Sequence, residues 1–448
     1  MLRFNAIRWA LPIIAVTLTL GVFAASPIVA QDDLEMANRI DELVEQLNAD
    51  AAADREAAEK ELIELGLKST ADAGEAFLDA LPKPNDNMPQ EVQARLNRIA
   101  SEVRTRLATK SIEATRLTLD FTEAPLADVL KEIERQTGNR ITDYREQFGQ
   151  EAMAKKVTIQ VKDEPFWQAL DKVLDAVQMQ PYSFSGEETL GLVERDQGAL
   201  RRSGRGAVYA GPFRIEATGV TAERGLRIPD QSALRLDLEI AWEPRLRPIS
   251  LTQAADDVKA VADDGREVPP TAQGAAFDVE IESGTHAAEV SLPLQLPARE
   301  AKVLTSVTGK LNALVPGRIV DLKFDRLAAA KEVTKEAGGV TVILDRAVKN
   351  QALWEIHMRV RIDSLEAGLE SHRGWVFQNL SFLEDKSGEK LDNAGFETTL
   401  QTEKEAGFLY LFELPEGREI EDYVWVYRTP ASIVNMPVEY KLEEVPLP

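Results

Sequence analysis

Two stretches near the middle of the chain read as one pattern used twice. From Leu117 a short apolar strand leads to Pro125, after which Leu126, Val129, Leu130 and Ile133 recur at helical spacing as far as Gly138. From Val157 a second short strand leads to Pro165, after which Phe166, Ala169, Leu170, Val173 and Leu174 do the same. A change of apolar period from two to 3.6 marks a strand running into a helix. The prolines suit the first helical position, where the missing N–H costs nothing; Asp163 is a candidate N-cap and Gly138 a left-handed stop. The segment Leu117 to Glu194 is therefore expected to run strand, helix, strand, strand, helix and terminal hairpin, with both helices covering one small sheet.

These residues resemble the secretin and TonB short N-terminal domain. The resemblance is carried by the apolar strand, by a Pro-Leu helix at Pro125 and Leu126 that ends in Thr137 and Gly138, by the Val-Thr-Ile strand from Val157, and by the Ala-Leu helix at Ala169 and Leu170. It implies a periplasmic module on the inner side of outer-membrane channels and receptors, one that docks onto other proteins and is not catalytic. Asp143 to Gly149, between Ile141 and Lys156, departs from the pattern as an insertion. Pro244 to Pro248, Arg428 to Val434 and Val438 to Leu442 also resemble recurring elements of bacterial envelope proteins, which implies location and no activity.

At 448 residues the chain is too long for one core and predicts about three domains. Arg3 and Arg8 precede an apolar run from Trp9 to Phe23, and small residues lead to Ala30 before Gln31. That order is a secretory signal over residues 1–30 with cleavage between Ala30 and Gln31; retained, the same run is a membrane anchor, the chain's sole expected membrane contact. There are no cysteines, so disulfides, thiolate metal sites and a cysteine nucleophile are excluded. The net charge of −23 argues against a nucleic-acid partner, whose phosphates demand clustered Lys and Arg.

Outward from the repeat the composition changes twice. Residues 31–110 carry Leu43, Leu47, Leu62, Leu65, Val92, Leu96, Ile99 and Val103 at three- and four-residue spacing, which predicts helices, either a HEAT-like hairpin or a plain bundle. After a module spanning 113–195, residues 196–211 hold Gly198, Arg201, Arg202, Gly204, Arg205 and Gly206, a basic linker read as a solvated hinge. From residue 212 the period is two. Leu234, Leu236, Leu238, Ile240 and Trp242 alternate with Arg235, Asp237, Glu239 and Ala241, a strand with one wet face, and Val290 to Leu296 and Trp354 to Ile362 repeat the pattern. Two β-sandwiches, 212–315 and 316–448, are expected to meet near Val315-Pro-Gly317. The fold class is thus multi-domain α+β, and the chain after the module is too short for a receptor barrel, which takes roughly 22 strands of about 10 residues.

No constellation for chemistry stands out. His286, His357 and His372 lack metal spacing, and His357 falls on a polar strand face with Glu355, Arg359 and Arg361. No nucleophile elbow is present, and Gly309-Lys310 lacks the rest of a phosphate loop. Asp278, Glu280 and Glu282 line one strand face, where a glycosidase needs acids opposed across a cleft. Asp256/Asp257 and Asp263/Asp264 lack the regular calcium-loop spacing and read as polar turns. Trp242 and Trp354 are in phase with core residues; Trp375, at an expected exposed strand start, is the candidate ligand contact. The expectation is an exported, periplasmic or envelope protein without enzymatic activity, cofactor or metal. It would bind an envelope protein through a sheet edge or helix groove of the repeat module; a glycan-binding sandwich and a carboxylate-dependent hydrolase are the alternatives.

Overall fold

The structure is a computed structural model that describes residues 27–448 apart from 69–70, 86, 197, 199–205, 229–231, 283, 363–372 and 403–404; for 27–34, 71–73, 75, 280, 362 and 373 it describes the backbone alone. The chain is mixed α+β and divides into two units at Val103. The first is helical: α1 (Pro27–Gln46), α2 (Ala52–Leu67), α3 (Ala71–Ala80) and α4 (Gln90–Ser111), the last running past the division. Leu43, Leu47, Leu62, Phe77, Leu96 and Ile99 form its core. Gly66 is required there, since a Cβ would sit 2.8 Å from the Phe77 ring.

The second unit opens with the repeat. β1 (Arg116–Pro125), α5 (Leu126–Thr137) and β2 (Ile141–Asp143) are followed by β3 (Lys156–Pro165), α6 (Phe166–Val177), β4 (Met179–Tyr182) and β5 (Leu190–Glu194). Arg116 answers to Lys156, Pro125 to Pro165 and Gly138 to Gln178, a shift of 40 residues throughout. The two copies pair antiparallel, with Arg116 opposite Pro165 and Pro125 opposite Lys156. Each strand bulges at a residue of positive φ, Glu123 at 51° and Asp163 at 51°. Each helix then starts with its first N–H bonded across to the other copy, Leu126 to the Lys155 carbonyl and Phe166 to that of Thr115, both at 2.9 Å.

Three expectations are corrected here. Both prolines cap rather than begin their helices, because the strands run unbroken into them. Asp163 caps nothing: the bulge turns its carboxylate to the Arg116 Nε at 2.9 Å. The strands form two sheets rather than one, a ribbon β1-β3 and a three-stranded sheet β2-β5-β4.

The remaining strands are β6 (Ala207–Ala210), β7 (Phe213–Glu223), β8 (Ala233–Trp242), β9 (Ser250–Ala254), β10 (Lys259–Ala262), β11 (Ala276–Glu280), β12 (Ala287–Gln295) and β13 (Val303–Phe324). After them come β14 (Val333–Ala337), β15 (Val340–Asn350), β16 (Leu353–Ile362), β17 (Leu380–Asp385), β18 (Lys390–Asp392), β19 (Gly395–Gln401), β20 (Glu405–Phe412) and β21 (Tyr423–Pro446). A four-stranded sheet, β12-β8-β7-β6, closes one core, and a five-stranded sheet, β14-β15-β16-β20-β19, closes another. Both cores are completed by one seven-stranded sheet, β11-β9-β13-β21-β17-β18 with β10 on β13.

The centre of that sheet is a ribbon of β13 and β21, paired from Val303 opposite Pro446 to Phe324 opposite Trp425 in unchanged register. At about 3.3 Å per residue its 22 residues span about 70 Å. Leu311, Ala313 and Val315 face the first core, whereas Leu322 and Phe324 face the second. The pairing is interrupted where Gly317 lies opposite Ser432, which takes φ 52°, and the buried positions change parity across that break. The two sandwiches therefore share one ribbon, one on either side of the interruption. The boundary expected at Val315-Pro-Gly317 falls inside β13, and the C-terminal strand β21 returns to the first core through Val438, Tyr440 and Leu442. Part of the expected linker is likewise strand: β6 pairs with β7, while Arg201, Arg202 and Arg205 lie outside the described residues.

Candidate functional site

The repeat is symmetric in backbone but not in what guards its edges. Gln136, in the last turn of α5, lays its carboxamide along the outer edge of β1. The Thr118 N–H donates to its Oε1 at 3.0 Å, and its Nε2 donates to the Thr118 carbonyl at 2.9 Å. Those are the two bonds a neighbouring strand would make. Nε2 also donates to Glu132 Oε1 at 2.6 Å, and Arg135 together with this amide holds Glu132 down at about 2. On β3 and α6 the shift of 40 places Thr158 and Ala176 at the matching positions. A methyl group neither donates nor accepts, so nothing equivalent caps β3. Among the described residues, β1 is the strand that pairs with β3, which leaves its other side without a partner strand.

The opposite side of the module is closed by the chain itself. Trp167 on α6 donates its indole N–H to the Pro212 carbonyl at 3.1 Å. One turn on, Asp171 meets Arg214 of β7, both fully buried, with Oδ2 to Nε at 2.9 Å; Tyr209 of β6 donates its hydroxyl to the same oxygen at 2.7 Å. Burial alone would push the Arg214 guanidinium down, but Asp171 and Glu216 outweigh it and hold it above its ordinary range. Burial, then Asp171, push the Tyr209 phenol up. A second buried carboxylate, Glu243, accepts the Thr115 N–H and hydroxyl, both at 2.7 Å, and bonds from Asn139 and Arg245 at 3.1 and 2.8 Å. Buried charges persist only when paired and hydrogen-bonded, so these two networks fix the module on the four-stranded sheet. They occupy the helix side that a partner helix would need.

The insertion from Asp143 is built in as well. Arg145 is buried and bonds Asp143 at 2.7 Å and Glu194 at 3.2 Å, and the Tyr144 N–H joins the Leu192 carbonyl at 2.8 Å. Its bonds run to β5 rather than to the β1-β3 ribbon.

A cavity of about 150 Å³ lies where the β4–β5 turn, the loops around Pro248 and Thr285, and a 3-10 turn over Arg373–Gln378 converge. Gly284, at φ 78°, makes the convergence possible, since a Cβ there would come within 2.4 Å of the Gly186 backbone. His286, 4% exposed, donates its backbone N–H to the Ser183 carbonyl at 2.8 Å and has Nε2 3.2 Å from the Glu187 carbonyl. Burial lowers its ring from the ordinary value of 6.5 against backbone bonds from Glu187 and Thr189. The ring is thus neutral at pH 7 with the proton assigned to Nε2, and Nδ1 is a buried acceptor without a partner. The indole N–H of Trp375 is a buried donor without a partner.

Trp375 is not at an exposed strand start: it sits in the 3-10 turn at 6% exposure, drawn in with Val376 while Phe377 packs edge-on against Phe408 at 5.4 Å. Trp242 is fully buried and Trp354 half-buried against the second core. His357 is half-buried beside Glu355 at 3.3 Å, and His372 lies outside the described residues. Ala30 and Gln31 fall on the backbone of α1, and residues 1–26 of the expected signal lie outside the described residues. Asp256 and Asp264 spend side-chain oxygens on the backbone N–H groups of Gly274 and Arg266, and no acidic or histidine cluster among the described residues is arranged to hold a metal. Among the described residues no helix is long and apolar enough to cross a membrane. Gln136, Asp171, Arg214, Glu243 and His286 were not singled out by sequence; aligning the two copies would have exposed the Gln136/Ala176 difference.

No protein-family model, no curated protein and no solved structure matches this chain.

Proposed function

We propose that this is an exported, non-enzymatic protein of a bacterial envelope that docks a partner protein through the outer edge of β3, as its secretin-like repeat implies. The observation that carries the reading is the broken symmetry of the repeat: Gln136 fills the edge of β1 at Thr118, whereas Ala176 leaves the edge of β3 at Thr158 open. An open edge receives an extended segment through main-chain bonds, with side chains supplying selectivity. The helix side of the module is occupied by Trp167, Asp171 and the sheet beneath them, which favours the edge over a helix groove. The glycan alternative has less support, because a ring at 6% exposure offers no open platform for a sugar.

The test is chemical cross-linking of the full-length protein in its own envelope, with the captured partner identified by mass spectrometry. Ala176→Gln supplies the missing amide on an exposed helical position at little helical cost. It is expected to abolish capture of a protein that the wild type retrieves. Undiminished capture by A176Q, or no specific capture by the wild type, refutes docking at this edge.

A further inference from the structure

The cavity beside Trp375 is lined by two residues, Trp375 and His286, that each hold a buried polar atom without a partner, one a donor and one an acceptor. Its deep wall is formed by Trp375 and His286 with the apolar Leu246 and Ile281, all buried, while its rim carries Leu380 at 53% exposure and Arg247. Arg247 is engaged by Glu188 at 2.6 Å, so the rim offers no free charge from that pair. Buried donors and acceptors are nearly always satisfied, and those that are not call for a water or a ligand. The indole N–H can only donate. The His286 Nδ1, with Nε2 turned to the Glu187 carbonyl, can only accept.

We propose that this cavity is a binding site for one small hydroxylated ring, of the size and chemistry of phenol. A hydroxyl is the smallest neutral group that answers either residue, accepting from Trp375 or donating to His286. The volume sets the size: a cavity of about 150 Å³ accommodates a benzene-sized ring, and a sugar chain does not fit within it. The rest of the lining is mixed, with Pro244, Ile249 and Ile319 beside Glu188, Glu282 and Arg428, which suits a ring that carries a polar group. The site is separate from the β3 edge, and either assignment stands without the other.

Phenol and toluene, alike in size and differing in the hydroxyl, are the probes. The ¹⁵N-labelled full chain is titrated with each, and the Trp375 indole N–H resonance, assigned by its disappearance in Trp375→Phe, is followed. Saturable movement with phenol at an affinity about tenfold above that for toluene is expected, the usual worth of one hydrogen bond to a buried group. In W375F the preference should shrink while toluene binding persists. Equal affinity for the two probes in the wild type overturns the polar recognition, and no movement of that resonance with phenol overturns the site. N-acetyl-tyrosine amide, run alongside, separates the sources: binding equal to phenol points to a tyrosine side chain of a partner, and binding of phenol alone to a free small molecule. The wild-type titrations decide the matter even if W375F fails to fold.

Discussion

At the scale of single residues, most of the decisive positions are polar groups whose setting no local pattern announces. Phe213 and Ile215 lie in the first core, and by a period of two Arg214 between them would be assigned to water. It is instead fully buried, because β7 is covered on both faces, by the first core on one side and by α6 on the other. The same covering buries Ala241, which alternation had put on the wet face of β8. Small residues at one end of that face, Ala241 and Ala287, were the available hint. Truncating Asp171 to Ala removes the Nε partner of a buried guanidinium, which keeps Glu216 at 2.8 Å, and a loss of about 3 kcal/mol is expected in urea unfolding. Replacing Asp171 by Leu and Arg214 by Met together should recover most of it, since an apolar pair leaves no buried charge. A D171A protein as stable as the wild type would show that the pair is not the fastening it looks to be.

At the scale of elements, strands and helices of the repeat were readable from the change of period, whereas the ends of elements were not. The two prolines illustrate why: a proline fixes its own φ and suits both the first turn of a helix and the residue before it. The middle of β13 shows a subtler failure. Its apolar phase passes from odd positions at Leu311, Ala313 and Val315 to even ones at Leu322 and Phe324, and an interrupted pattern with Pro316 and Gly317 suggests the end of a domain. The strand pairing is interrupted at the same point, where Gly317 lies opposite Ser432 at φ 52°, and the sheet continues beyond it with the parity changed. Gly317 marks the spot, with a would-be Cβ 2.6 Å from that of Ala108 on α4 and the Ser111 hydroxyl bonded to its carbonyl at 2.9 Å. Gly317→Ala forces α4 or the strand to shift, and a loss of about 1–3 kcal/mol is expected from such overpacking. Unchanged thermal stability of G317A would mean that α4 yields without cost.

At the scale of the whole molecule, the mixed α+β class and an export signal were expected from sequence, but the sharing of one sheet by both sandwiches was not. Pairing between positions more than 100 residues apart, such as Phe324 with Trp425, leaves no local trace. Sharing should make residues 104–448 unfold as a single cooperative body. Leu236→Ala, in the first core, is expected to lower the midpoint read from tryptophan fluorescence and that read by hydrogen exchange at Phe408 in the second core by the same amount. Two separated transitions would show that the sandwiches are independent after all. The β13–β21 ribbon has a mechanical consequence too. If one end of this body is held and a docked partner tugs on the other, the force runs along the strands, and the bonds between β13 and β21 are loaded together in shear and not one at a time. In a chain without a single disulfide, this makes the ribbon a tie-rod that resists pulling until a whole core gives way.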